Sequence, residues 1–277
     1  MRFSFVVAVS LFLAGCFPAA PLRQTPEAQG VAKPGLATAK PRVEPTSTLP
    51  AQAPRLATAD LSEITFEGVA FDSQSHRLVV LDQAAGPGSE FANSTAAAEF
   101  LEGFAAINAG FFTPEGSPLG LVVSNGKSAG AWNSASSLGS ASWHEDASGK
   151  SAISRRDALG RTAASAMREL LQAGPLLVEN GGGISGLDAT KASARSLILW
   201  DGGMRWWIGR SSPCTLAAAS QALSTGSPAG WKIRHVLNLD GGRSSDLWIS
   251  SRIPGGPVLR RPPWNRPVRN FLVLVSR

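Results

Sequence analysis

The stretch Leu237-Asn238-Leu239-Asp240-Gly241-Gly242-Arg243-Ser244-Ser245 organises the reading of the rest of the chain. Period-two alternation places Ile233, His235, Leu237 and Leu239 on one face of a strand, with Val236, Asn238 and Asp240 on the other. An acid at a strand's end followed by two glycines lets backbone amides approach a ligand closely. Arg243, Ser244 and Ser245 then supply a cation and hydroxyl donors suited to phosphate oxygens. Asp-Gly is also the commonest hairpin signal, so this stretch alone divides evenly between a site and a turn.

Three other segments join apolar strands to polar and glycine residues. In Ile107-Asn108-Ala109-Gly110-Phe111-Phe112-Thr113-Pro114-Glu115-Gly116, a carboxamide ends a strand, glycine permits a tight turn, and two aromatics precede an acid. Asn108 suits sugar hydroxyls or phosphate, and an aromatic can stack on a sugar face; a bent core corner with Phe111 buried reads equally well. In Gln172-Ala173-Gly174-Pro175-Leu176-Leu177 a polar helix end breaks into a strand. In Ser193-Ala194-Arg195-Ser196 an arginine abuts an apolar strand, a costly place unless a carboxylate or phosphate pairs with it.

Around these segments the chain alternates short apolar runs with turns. Ile64 to Phe71 and Leu78 to Leu81 read as an opening hairpin across Asp72-Ser73-Gln74-Ser75. Further strands are expected at 105–108, 121–123, near Ala141 and Ile153, and at 176–178, 196–200, 205–208, 233–239 and 271–275. Helices are expected at 93–104 with Asn93 or Ser94 as cap, at 164–173, and at 213–223. The pattern predicts an α+β fold: a mixed or antiparallel sheet of many short strands with a few helices.

Taken together and in this order, the four motifs resemble the phosphodiester glycosidase family, the relatives of the mannose-6-phosphate uncovering enzyme. The closing run Arg266-Pro267-Val268-Arg269-Asn270-Phe271 also resembles the family's last strand. The resemblance implies a hydrolase that cleaves a sugar-1-phosphodiester bond in a phosphate-linked glycan. It carries Asn108, Gly110 and Phe112 from the first motif, Gly174 and Pro175 from the second, and Arg195 and Ser196 from the third. From the fourth it carries Asn238, Asp240, Gly241, Gly242, Ser244 and Ser245; Arg243 stands where the family commonly has glycine. The catalytic candidates are Asp240, Asn108 and Arg195, with Glu115, read from the first segment and not from the resemblance, a weaker second acid. Gly110, Phe112, Gly174, Ser196, Asn238 and the 241–245 run would bind substrate and phosphate.

The ends and the composition set the compartment. Met1-Arg2, the apolar Phe3 to Phe12 and Leu13-Ala14-Gly15-Cys16 look like a bacterial lipoprotein signal, too short for a membrane span. This predicts export, lipidation of Cys16 and a membrane anchor in the cell envelope. A proline- and alanine-rich stretch, residues 17–60, reads as a disordered tether, leaving 61–277 as one folded domain. With Cys16 lipidated, Cys214 has no partner, which excludes a disulfide framework; it reads as a small buried residue.

The net charge of +6 is dispersed apart from Arg260, Arg261, Arg266 and Arg269, and no basic ribbon interleaved with aromatics appears. Nucleic acid is therefore not an expected partner. A serine hydrolase lacks its Gly-x-Ser-x-Gly elbow here. Three histidines and two cysteines make a zinc site a poor reading, and His235 falls with the apolar residues of its strand. The sequence names no cofactor of its own; the one candidate is a divalent cation, Ca²⁺, held by carboxylates, carbonyls and phosphate. The rival to an enzyme is an envelope module that binds glycans or anionic polymers through the same cleft.

Overall fold

The computed structural model describes residues 52–277; the signal, Cys16 and most of the expected tether lie outside the described residues. Every strand pairing is antiparallel, and the strands form three sheets. The seven-stranded sheet contains β1 (Arg55–Leu61), β2 (Ile64–Asp72), β10 (Leu176–Glu179), β11 (Gly182–Gly183), β12 (Ser196–Trp200), β13 (Arg205–Ser211) and β14 (His235–Asn238). Its order is β1-β2-β13-β12-β14-β10-β11. A five-stranded sheet runs β16 (Val258–Arg260), β15 (Leu247–Ile249), β4 (Ala105–Asn108), β17 (Asn270–Ser276) and β3 (His76–Asp82). The third runs β6 (Lys127–Ala129), β5 (Val122–Ser124), β9 (Glu169–Ala173), β7 (Ala141–Glu145) and β8 (Ser151–Arg155).

Among the described residues, four short helices complete the fold: α1 (Ser94–Phe100), α2 (Arg156–Leu159), α3 (Arg161–Ser165) and α4 (Leu216–Thr225). The coarse α+β expectation holds, with sheet dominating. One core joins all three sheets, with Phe71, Val80, Ile107, Trp143, Leu171, Ile198, Leu237 and Leu272 among its members. The opposite face of the seven-stranded sheet packs Leu177, Leu197, Trp207 and Val236 against Ala219, Ala222 and Leu223 of α4. Burial on both faces explains why β12 reads as the continuous apolar run Leu197-Ile198-Leu199.

Several expectations are corrected. The tether does not reach residue 60, because β1 pairs with β2 along its whole length, from Arg55↔Ala70 to Leu61↔Ile64. β2 and β3 do not form a hairpin: β2 pairs with β1 and β13, and β3 pairs with β17 in another sheet. The intervening turn, in which the Gln74 amide donates to Asp72 Oδ1 at 2.7 Å, passes the chain between layers.

The helix expected at 164–173 is only α3; Glu169 to Ala173 are a strand buried between β5 and β7. Leu, Glu, Gln and Ala favour helix locally, and pairing on both edges overrides that preference. α1 stops at Phe100, capped by Asn93 Oδ1 on the Ala96 amide at 3.0 Å. α4 starts at Leu216 under a Thr215 cap rather than at Pro213. Ile233 precedes β14 and packs with Val236 on the α4 side, not with Leu237. Asn125 and Gly126 form the tight turn between β5 and β6, with φ of 47° and 76°.

Candidate functional site

The ends of β4, β12 and β14 meet through one buried carboxamide. Asn108 is fully buried, and its Nδ2 donates to the Asp240 carbonyl at 2.7 Å. Its Oδ1 accepts from Ser196 Oγ at 2.6 Å and from the Asp246 amide at 3.1 Å. The Asp240 amide donates to the Ala109 carbonyl at 3.0 Å. The backbone on both sides of the Asp240 carboxylate is thus held by the 108–109 turn, which fixes where that side chain can point.

The glycines after Asp240 are required by close approach. A Cβ on Gly241 would lie 2.5 Å from the Ala194 carbonyl, and Gly242 has φ of +60° while its amide donates to that same carbonyl. This packs the Asp-Gly-Gly turn onto the Ala194-Arg195 backbone. The second motif joins the same assembly, since Asn238 Nδ2 donates to the Gly174 carbonyl at 3.0 Å. A Cβ on Gly110 would press on Leu171 at 3.0 Å, and the Gly110 amide donates to Asn270 Oδ1 at 2.7 Å. All four motifs therefore converge.

The Asp240 side chain is mostly buried, and burial pushes its pKa up, tempered by the Ser244 hydroxyl, the Arg266 cation and the Gly241 amide. Arg266 Nη2 lies 3.6 Å from Asp240 Oδ2, and Arg266 Nε donates to Ser244 Oγ at 3.1 Å. The same guanidinium sits 4.6 Å from the centroid of the Phe112 ring. Asp240, Ser244, Arg266 and Phe112 make up a half-open cluster of an acid with a raised pKa, a hydroxyl, a cation and an aromatic. Such a set can bind an anionic group beside a carboxylate that gains or loses a proton.

The expected residues divide into three groups. Asp240, Ser244 and Phe112 line the cluster. Asn108, Ser196, Asn238, Gly110, Gly174, Gly241, Gly242 and Ser245 build the scaffold beneath it, with Ser196 Oγ lying 3.4 Å from Ser245 Oγ. Arg195 and Glu115 do neither. The Arg195 guanidinium turns away, donating to the Cys214 carbonyl at 3.1 Å and the Lys191 carbonyl at 2.6 Å. Those carbonyls replace the expected carboxylate or phosphate partner. Glu115 is exposed on the turn closed by the Gly116 amide and the Thr113 carbonyl at 2.9 Å.

Arg243 is also exposed, and its Nε donates to the Trp264 carbonyl at 3.2 Å. Its own carbonyl accepts from Asn265 Nδ2 at 2.8 Å and from the Arg266 amide at 3.2 Å. The residue that departs from the family's glycine therefore pins the 262–267 segment that delivers Arg266. Sequence reading placed Arg266 in the closing run but not in the site. Its distance of 26 residues from Asp240 and the surrounding prolines gave no periodic signal.

Among the described residues no group of three His, Cys, Asp or Glu side chains lies close enough to hold a metal ion, so the Ca²⁺ expectation finds no carboxylate cluster. His235 lies at the far end of β14, stacked on Trp200 at 5.6 Å, and burial lowers its pKa. Cys214 is buried, with its pKa raised by that burial, as a small packed residue rather than a reactive thiol.

Comparison with solved structures finds the catalytic domain of zebrafish N-acetylglucosamine-1-phosphodiester alpha-N-acetylglucosaminidase, auto-inhibited by its pro-peptide. The TM-score is 0.56 at 15% identity, over 84% of this chain and 85% of that one. A hypothetical protein from Synechocystis is similar with a TM-score of 0.52 at 17% identity, over 80% of this chain and 61% of that one. Both likenesses are of fold. No curated protein matches this sequence. The family model for phosphodiester glycosidase matches residues 103–275, a span that takes in all four motifs and Arg266, and the chain belongs to that family.

Proposed function

We propose that this chain hydrolyses a sugar-1-phosphodiester bond in envelope or extracellular glycans, cleaving the glycosidic C–O bond. The observation that carries the reading is the Asp240 carboxylate, buried and backbone-clamped, with the half-exposed Arg266 guanidinium 3.6 Å away. A phosphate ester is a weak base, so its departure needs little proton donation. The larger demands are neutralising charge on the leaving phosphate and supporting an oxocarbenium-like sugar. The half-exposed Arg266 guanidinium, held by the Ser244 hydroxyl, would take the phosphate. Asp240 then acts on the sugar side, as general base, nucleophile or cation-stabilising carboxylate. Phe112, already covered on one side by Arg266, offers an apolar surface to the sugar ring.

The test is hydrolysis of a sugar-1-phosphodiester in ¹⁸O-labelled water. Label should enter the released sugar, and Asp240→Asn should lower turnover by at least about a hundredfold while the protein stays folded. Label in the phosphate would mean P–O cleavage and would sink the reading. Binding without turnover by the wild type would favour the glycan-binding module instead.

The envelope setting is part of the proposal and rests on Leu13-Ala14-Gly15-Cys16. Cells supplied with labelled fatty acid should lipidate the wild-type chain, and Cys16→Ser should abolish both label and membrane association. An unlabelled, freely soluble wild type would replace the lipoprotein with a plain secreted protein.

A further inference from the structure

A second concentration of polar groups lies on the seven-stranded sheet, in a cavity of about 250 Å³ between β2, β13, the 211–213 turn and β16. Arg210 of β13 pairs across the sheet with Glu67 of β2 and Ser196 of β12, so all three side chains share one face. Glu67 favours the Arg210 cation from a distance but makes its close pair elsewhere. Its two carboxylate oxygens take a bidentate pair from Arg260, Nε at 2.6 Å and Nη2 at 2.9 Å. The next carboxylate felt by Arg210, Asp246, already receives Ser94 Oγ at 2.7 Å, the Ser94 amide at 2.8 Å and Arg261 Nε at 3.0 Å.

Arg210 is left half-buried, without a side-chain hydrogen bond or close ion pair among the described residues. Two arginines and one glutamate leave the cavity with one unbalanced positive charge. Burying a guanidinium beside a like charge is costly, and the cost is offset when an anion arrives. Ser212 Oγ accepts from the Thr65 amide at 3.1 Å, which leaves its O–H free to donate into the same space. Pro213 contributes no amide donor and walls the opening.

We propose that the cavity lined by Thr65, Glu67, Arg210, Ser212, Pro213 and Arg260 binds an oxyanion group of a ligand, a phosphate or a carboxylate, on the Arg210 guanidinium. The fork geometry of arginine matches two oxygens of either group, and a single excess charge matches a phosphodiester or a carboxylate. This site is separate from Asp240 and Arg266 and does not depend on the hydrolytic reading. For a polyanionic glycan it would hold a second charged unit.

The test follows thermal unfolding of the full-length chain in inorganic phosphate and, separately, in acetate, against chloride at equal ionic strength. At roughly ten times Kd, the wild type should gain about 3 °C in at least one of the two anions, which also distinguishes phosphate from carboxylate. In an Arg266→Gln background, which removes the phosphate contact proposed beside Asp240, the gain should persist, and adding Arg210→Gln should abolish it. No gain in either anion in that background, or a gain that survives the added Arg210→Gln, overturns the proposal. Arg210→Lys keeps the charge but not the fork, and should bind the anion at least about threefold more weakly. Equal binding by that variant would also overturn it.

Discussion

Arg195 and Arg266 show what residue type alone can and cannot say. Both are arginines beside apolar strands, and both need partners. Arg195 finds the Cys214 and Lys191 carbonyls, which ties its loop to the turn before α4. Arg266 finds Ser244, Asp240 and the face of Phe112. The motif reading singled out Asp240 and Ser244 because a strand end followed by Gly-Gly has a local physical meaning. It assigned Arg195 by position within a motif, and a long side chain can leave the place where its backbone sits. Asn108 is the converse case: the motif was found, but a side chain with no exposure serves Asp240 from below rather than meeting substrate. The two arginines should therefore separate in kinetics. Arg266→Lys keeps the charge but loses the fork between Ser244 and Asp240, and turnover should fall about tenfold to a hundredfold. Arg195→Lys should leave turnover within about threefold and act instead on the unfolding midpoint, through its lost carbonyl contacts. Equal losses of turnover in both would return Arg195 to the site.

At the scale of elements, the strands that end in motifs were legible, because burial on one or both faces writes itself as alternation or as a continuous apolar run. β12, β13, β14 and β17 begin and end within a few residues of their expected positions. Elements whose identity depends on distant partners were not. Glu169-Leu170-Leu171-Gln172-Ala173 suits a helix by composition, but its Glu and Gln are bound by groups far away in sequence. Glu169 accepts from the Val80 amide at 3.0 Å. Gln172 Oε1 accepts from the Leu121 and Asn133 amides, each at 2.9 Å. β1 was hidden for a different reason. The prolines of the preceding stretch dominate the composition there, and only the pairing with β2 shows where the sheet begins. The hairpin read at Asp72-Ser75 had the correct turn chemistry. A turn specifies a change of direction, whereas the choice of sheet is made by what each strand can bury.

At the scale of the whole molecule, the sheets enclose ionisable groups that set how stability responds to pH. Glu169 is almost fully buried, faces Arg77 and the carboxylate of Glu145, and has its pKa pushed up to about 7, with burial as the largest cause. In the unfolded chain the same group ionises near 4.5. Between these values the folded state holds a proton that the unfolded state has released, so acid favours folding over this window. The contribution is full below about pH 4.5 and is lost as pH rises through about 7, amounting to something on the order of 3 kcal/mol. Asp240, also raised by burial, acts in the same sense. His76, His144 and His235 are all lowered by burial and act in the opposite sense, withdrawing stability as pH falls through 6.5. The wild-type profile therefore mixes both signs, and the difference from Glu169→Gln isolates one of them. Urea midpoints measured from pH 5 to pH 8 should show the wild type losing stability relative to the variant as pH rises. Parallel profiles would mean that Glu169 is ionised throughout, held so by Arg77, and that the sheet carries a buried ion pair there instead.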